Sequence, residues 1–107
     1  QASWWLHFHN TRGMAMANII AAMDAGMTRF DSAFGGLGGC PFVPGAAGNI
    51  SSEDVIHMCD ESGIETGVDV TKVMAVSRSL RELLGHDMES YILRAGRSCD
   101  LIEKNAE

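Results

Sequence analysis

Basic residues are scarce in this chain: eight Lys and Arg stand against 14 Asp and Glu, a net charge of −6 with histidine neutral. Nucleic acids and anionic membrane surfaces recruit basic patches, and the scattered Lys and Arg form none, so neither is expected as a partner. No apolar run is long enough to span a bilayer, and no basic start followed by an apolar core marks a secretion signal. The three cysteines, Cys40, Cys59 and Cys99, are odd in number and irregularly spaced, which argues against a disulfide framework and favours a reducing compartment. Proline is nearly missing, and the two present, Pro41 and Pro44, share one segment. The chain opens on Gln1 rather than methionine, with Trp4-Trp5 close behind, and reads as beginning in mid-fold.

What is there is globular, 46% hydrophobic and 21% charged. A chain of 107 residues can make one small domain or part of a larger one, and this composition favours the second. Residues 3–8 are an apolar, aromatic-rich run that reads as a strand ending near His9. Over 14–25, Met16, Ile19, Ile20 and Met23 fall at helical spacing, with Gly26 as a stop. Residues 28–34 alternate Phe30, Ser32 and Phe34 against Arg29, Asp31 and Ala33, a second strand. Strand, helix and strand make a β-α-β unit, which requires parallel strands and a right-handed crossover.

Residues 35–48 hold six of the 12 glycines and both prolines. An irregular connection of this length in a compact domain is usually functional. Behind it, Asn49-Ile50 is expected as a brief strand. Ser51, Glu53 and Asp54 then start a helix that turns Val55, Met58 and Cys59 inward and stops at Gly63. Asp69 or Thr71 opens another helix, whose stripe of Val70, Val73, Met74, Ser77, Leu80 and Leu84 runs to Gly85. Residues 88–107 carry a weaker pattern, one short helix over 91–95 and a fraying polar end. Two or three parallel strands cannot close a sheet alone. The expected fold class is therefore α/β, the C-terminal portion of a (βα)8 TIM barrel with about its last three strands plus C-terminal helices. Residues 1–84 would supply strands, active-site loop and helices, and 85–107 the tail.

His7 and His9 are two residues apart, so in a strand both imidazoles share a face and can converge on one cation. A His-x-His pair alone is equally compatible with a structural use. Its place at the C-terminal end of an expected barrel strand, where such folds build their sites, favours the metal. His57 and His86 have no such setting and read as surface or helix residues. Cys40 follows Gly35-Gly36-Leu37-Gly38-Gly39 and precedes Pro41, a flexible backbone fixed by proline that a buried filler thiol rarely needs. Cys59 lies on an apolar helical stripe and reads as core, while Cys99 stays undecided. The glycines make no phosphate cradle, since no Gly-Lys-Ser/Thr ending and no helix follows them directly. Asn49 is by default a turn residue after Gly48. Beside the histidines its amide oxygen gains a second reading, as part of a site suited to Mg²⁺ or Mn²⁺, with Zn²⁺ less favoured.

Taken in order, HFHNTRGMAMAN (7–18), FDS (30–32), GGLGGCPFVPGAAGN (35–49) and SED (52–54) resemble hydroxymethylglutaryl-CoA lyase, a family of metal-dependent (βα)8 barrels. The likeness runs to about Leu84, and its 35–49 segment is highly specific. The resemblance implies that His7, His9 and Asn49 are cation ligands and that Cys40 is the catalytic thiol on a mobile loop. It also implies that Glu65-Thr66-Gly67 leads into helices packed beside the barrel, and that the substrate is an acyl-CoA. The implied reaction splits 3-hydroxy-3-methylglutaryl-CoA into acetyl-CoA and acetoacetate. In this retro-Claisen cleavage a base takes the tertiary hydroxyl proton, the metal and a cationic side chain hold the oxygen charge, and an acid protonates the departing enolate. His7 is a candidate for proton transfer besides metal binding, and Cys40 for protonating the leaving carbon. A homodimer is compatible with this family, and the bacterial cytoplasm is favoured over a mitochondrial matrix.

Two departures stand out. Asn10 occupies a position where the family usually carries Asp, whereas Claisen-type synthases of the isopropylmalate and homocitrate kind carry His-x-His-Asn-Asp. Those synthases have a short Gly-Glu-Arg-Ala-Gly-Asn segment instead of the cysteine loop, so Cys40-Pro41 marks the lyase. The family's remaining aspartate ligand and catalytic arginine belong to a first barrel strand that this sequence does not contain. The leading expectation is a lyase at full length, with a condensing acyltransferase as the alternative. The isolated piece is expected to be inert and prone to aggregate through open strand edges.

Overall fold

Met16, Ile19 and Met23 recur at helical spacing, and in the computed structural model, which describes residues 4–38 and 48–100, helix α1 forms over Ala15–Asp24. Met14 offers no side-chain cap. The Asn10 amide oxygen accepts the Ala15 N–H at 3.2 Å instead, so the residue that departs from the family pattern serves the start of this helix. Helix α2, Ser52–Glu61, is capped as its sequence foretells: the Ser51 hydroxyl accepts from Asp54 N–H at 3.0 Å. Helix α3, Val70–Leu84, starts with the Asp69 carboxylate accepting from Thr71 N–H at 2.9 Å and ends on Gly85 in the left-handed conformation. Helix α4, Tyr91–Ala95, is capped by Ser90. No helix among the described residues is long and apolar enough to cross a membrane.

The expected strands are realised only as single bridges. Leu6 pairs with Phe30 and Ala33 with Ser51, both in parallel, as a β-α-β connection requires. His9 pairs with Asn49 in the antiparallel sense, which an all-parallel reading of the sequence does not foresee. The three extended segments thus close a triangle. The start of the first lies against the second, the end of the second against the third, and the start of the third against the end of the first. Ile50 is bonded on both sides, donating its N–H to Phe8 O and accepting from Ala33 N–H, each at 3.1 Å. Continuous parallel strands need partners on both edges and cover on both faces, and the described residues supply neither in full.

Packing follows the apolar stripes. Ala15, Ile19 and Ile50 form one buried cluster with Phe8, Met16, Met23, Phe30, Val55 and Met58 around it. Ile56, Val70 and Met74 form another, flanked by Val73 and Ile92. Ile20 and Leu84, expected on the inner stripes, lie exposed. The expected tail is partly built in: Met88, Ser90 and Leu93 are buried. The cause is Asp54, whose two carboxylate oxygens accept Tyr91 N–H at 3.1 Å and Ile92 N–H at 2.9 Å and so fix α4 to the first turn of α2.

Candidate metal centre

Backbone pairing decides which side chains meet. Leu6 N–H donates to Arg29 O and Asp31 N–H to Leu6 O, each at 3.0 Å. In this parallel register His7 lies beside Asp31, and side chains two apart share a face. His7 Nδ1 is 2.6 Å from Asp31 Oδ1, and His7 Nε2 is 3.1 Å from His9 Nε2, with the two rings edge to face. On the other flank Asn10 N–H donates to Gly48 O and Ile50 N–H to Phe8 O, both at 3.1 Å, which makes His9 and Asn49 a non-hydrogen-bonded antiparallel pair. Side chains of such a pair stand closest, on one face of the ladder.

The Asn49 amide oxygen is buried and has no hydrogen-bond partner among the described residues. Buried polar atoms are almost always satisfied, so this orphan acceptor beside His9 calls for a donor or a cation. Two imidazole nitrogens 3.1 Å apart are spaced as neighbouring ligands of one small ion would be, since ligands at about 2 Å set at right angles lie about 3 Å apart. The donor set therefore fits a divalent cation. Among the described residues no group of three or more His, Cys, Asp or Glu is placed to hold one.

Gly48 is what lets Asn49 sit there. A Cβ on Gly48 would come within 2.0 Å of both Gly36 O and Gly38 O, so the segment entering α2 packs directly on the backbone of the earlier glycine turn. That turn, a 3-10 element over Phe34–Gly36, carries Gly35 and Gly36 at positive φ. Gly48→Ala is expected to cost about 1–3 kcal/mol through overpacking and to displace Asn49, lowering Mn²⁺ affinity by about tenfold or more. Thermal melts and Mn²⁺ titration of the intact protein check both.

Cys40 and Pro41 lie outside the described residues. Cys59 is buried, and burial, with the Asp60 carboxylate adding to it, pushes its thiol above the ordinary value. It is core, as its stripe foretells. Cys99 is exposed. His57 lies near Glu61 and Ser98, and His86 bonds Asp87 O at 2.8 Å in the turn after α3. Two residues escaped sequence reasoning. Asp31 was legible only as a member of an alternating strand, although the parallel register puts it opposite His7. Glu53 reads as a favourable charge at a helix start, yet it is fully buried and accepts Gly35 N–H with both oxygens at 3.0 Å. The Ser77 hydroxyl of α3 also donates to it.

The HMGL-like family model matches residues 1–80, three quarters of the chain and every residue of the paired-imidazole site. The chain belongs to the HMGL-like family. It is 41% identical over 93 residues to a hydroxymethylglutaryl-CoA lyase of Bacillus subtilis, covering 87% of this chain and 31% of that protein. It is 45% identical over 91 residues to an (R)-citramalyl-CoA lyase of Chloroflexus aurantiacus, covering 85% and 29%. Among solved structures, an HMG-CoA lyase of Acinetobacter baumannii in complex with coenzyme A and 3-methylmalate superposes with a TM-score of 0.85 at 54% identity, covering 90% of this chain and 32% of that one. The chain thus spans about a third of the length of its HMGL-like relatives.

Proposed function

We propose that the intact protein carrying this chain is a divalent-metal-dependent carbon-carbon lyase that splits 3-hydroxy-3-methylglutaryl-CoA, or a close 3-hydroxyacyl-CoA analogue, into acetyl-CoA and a 2- or 3-oxo acid, acetoacetate in the first case. The observation that carries this reading is the approach of His7 Nε2 to His9 Nε2 at 3.1 Å, with Asn49, whose buried amide oxygen has no partner among the described residues, bridged to His9. Membership of the HMGL-like family and the two lyase relatives support it. The chain is read as the C-terminal portion of a (βα)8 barrel, with residues 1–84 giving about the last three strands, loop and helices. The parallel bridges Leu6 to Phe30 and Ala33 to Ser51 agree with that placement.

Within this reading His7, His9 and Asn49 hold a Mg²⁺ or Mn²⁺ ion, which when bound supplies positive charge for the oxygen that becomes anionic as the carbon-carbon bond breaks. Each imidazole offers an Nε2 lone pair and Asn49 its amide oxygen. His7 also has its Nδ1 engaged by Asp31, so it holds position, and proton transfer through it requires one of these bonds to be released. The Cys40 thiol gives its proton to the enolate carbon of the departing thioester, completing acetyl-CoA. The cationic partner of the oxyanion would be the arginine that the family resemblance places on a first barrel strand, and His7 stays the candidate for proton transfer.

The test uses the intact protein with Mg²⁺ or Mn²⁺, offered 3-hydroxy-3-methylglutaryl-CoA and (R)-citramalyl-CoA, which differ by one methylene between the carbinol carbon and the carboxylate. Formation of acetyl-CoA from either supports the lyase reading, and the preferred substrate fixes the acyl chain. Cys40→Ala is expected to lower turnover by about 100-fold or more while leaving Mn²⁺ affinity unchanged. Thiol release from acetyl-CoA with a 2-oxo acid, without cleavage of either thioester, would favour the condensing alternative.

A further inference from the structure

From the same arrangement we infer that Asp31 is a positioning residue for the cation: it fixes the tautomer and ring orientation of His7 so that the Nε2 lone pair faces His9 and Asn49. The inference rests on the metal reading above and adds a residue to it. His7 Nδ1 and Asp31 Oδ1 are 2.6 Å apart, the short distance of a charge-assisted hydrogen bond. A carboxylate can only accept, so the proton sits on Nδ1, an assignment made from this bonding partner, and a neutral ring then presents its lone pair at Nε2. That nitrogen is the one 3.1 Å from His9 Nε2. A histidine ligand whose second nitrogen donates to a carboxylate is the usual outer arrangement of a metal site.

The register makes this pairing hard to avoid. Leu6 and Phe30 form the parallel bridge, held by bonds from Leu6 N–H to Arg29 O and from Asp31 N–H to Leu6 O at 3.0 Å. One residue earlier the Arg29 guanidinium stacks over the Trp5 ring at 5.9 Å, and one residue later Asp31 meets His7. Trp5 with Arg29 and His7 with Asp31 are thus successive pairs on one face, and the backbone delivers the carboxylate to the imidazole. Stability is a poor reason for this contact. Both side chains are about half exposed, 47% and 51%, and exposed ion pairs contribute little to folding. Orientation of a ligand is what a short bond at this place achieves.

The experiment uses the intact protein, wild type, Asp31→Asn and Asp31→Ala, with Mn²⁺ affinity read from the electron paramagnetic resonance of the free ion. Nitrogen-15 shifts of labelled histidine report the His7 tautomer in metal-free protein. Both variants are expected to bind Mn²⁺ about 10- to 100-fold more weakly, with metal-free melting temperatures unchanged. Wild-type His7 is expected in the Nδ1-protonated form. The Asn variant is expected to lose that preference, because an amide can donate as well as accept. A merely structural contact would leave both the tautomer and the affinity ratio unmoved. Wild-type binding with equal binding by both variants, or a wild-type His7 protonated on Nε2, overturns the role of Asp31 alone. A wild-type protein that takes up no Mn²⁺ overturns the metal reading together with it.

Discussion

Replacing His9 by Ala in the intact protein is expected to lower turnover by about a thousandfold or more and to weaken Mn²⁺ binding by at least about a hundredfold, with metal-free stability within about 1 kcal/mol of wild type. The reasoning separates side chain from backbone. The third extended segment is held by main-chain bonds of the residues flanking His9: Asn10 N–H to Gly48 O and Ile50 N–H to Phe8 O. An alanine keeps both. The side chain is exposed, so its removal leaves no cavity in either apolar cluster. What goes is one of the imidazole nitrogens that face each other at 3.1 Å, and with it one of the three proposed ligands. Loss of several kcal/mol of charge stabilisation at the reacting oxygen corresponds to about three orders of magnitude in rate. Steady-state kinetics at rising Mn²⁺ would show partial recovery. Full turnover in the variant at ordinary Mn²⁺ would remove His9 from the site.

Glu53→Ala is expected to destabilise the intact protein by about 3–5 kcal/mol, on the order of 10²–10⁴ in the folding equilibrium. Glu53 is wholly buried in the first turn of α2. Both of its oxygens accept the Gly35 N–H at 3.0 Å, and the Ser77 hydroxyl of α3 donates to the same carboxylate. One side chain thus ties α2, α3 and the glycine turn together. Truncation leaves a buried N–H and a buried hydroxyl without partners, each costing about 1–3 kcal/mol, and opens a cavity besides. Glu53→Gln retains the size and one acceptor oxygen and should recover about half of the loss. Denaturant titration measures both, and an alanine variant within about 1 kcal/mol of wild type would show that the contacts carry no net stability.

The helices were legible because their signals are local. Ser51 to Asp54 and Asp69 to Thr71 are capping bonds spanning two or three residues, and Gly85 stops α3 where its left-handed backbone is needed. The pairing of His7 with His9 was legible for the same reason, since two residues of extended chain fix a common face. Asp31 and Glu53 were not, because their partners lie 24 and 18 residues away and only strand register or helix docking brings them in. The antiparallel meeting of His9 with Asn49 depends on how the chain returns from the glycine segment, which no local pattern states. The burial of Met88 and Ser90 likewise follows from Asp54 reaching α4 across 37 residues.

The most direct test is an anomalous difference map from crystals of the intact protein grown with Mn²⁺. A single ion is expected about 2 Å from His7 Nε2, His9 Nε2 and the Asn49 amide oxygen, with His7 Nδ1 still on Asp31. An ion bound elsewhere, or these three atoms turned away from one another with no ion between them, would contradict the proposed centre and the carbon-carbon cleavage assigned to it.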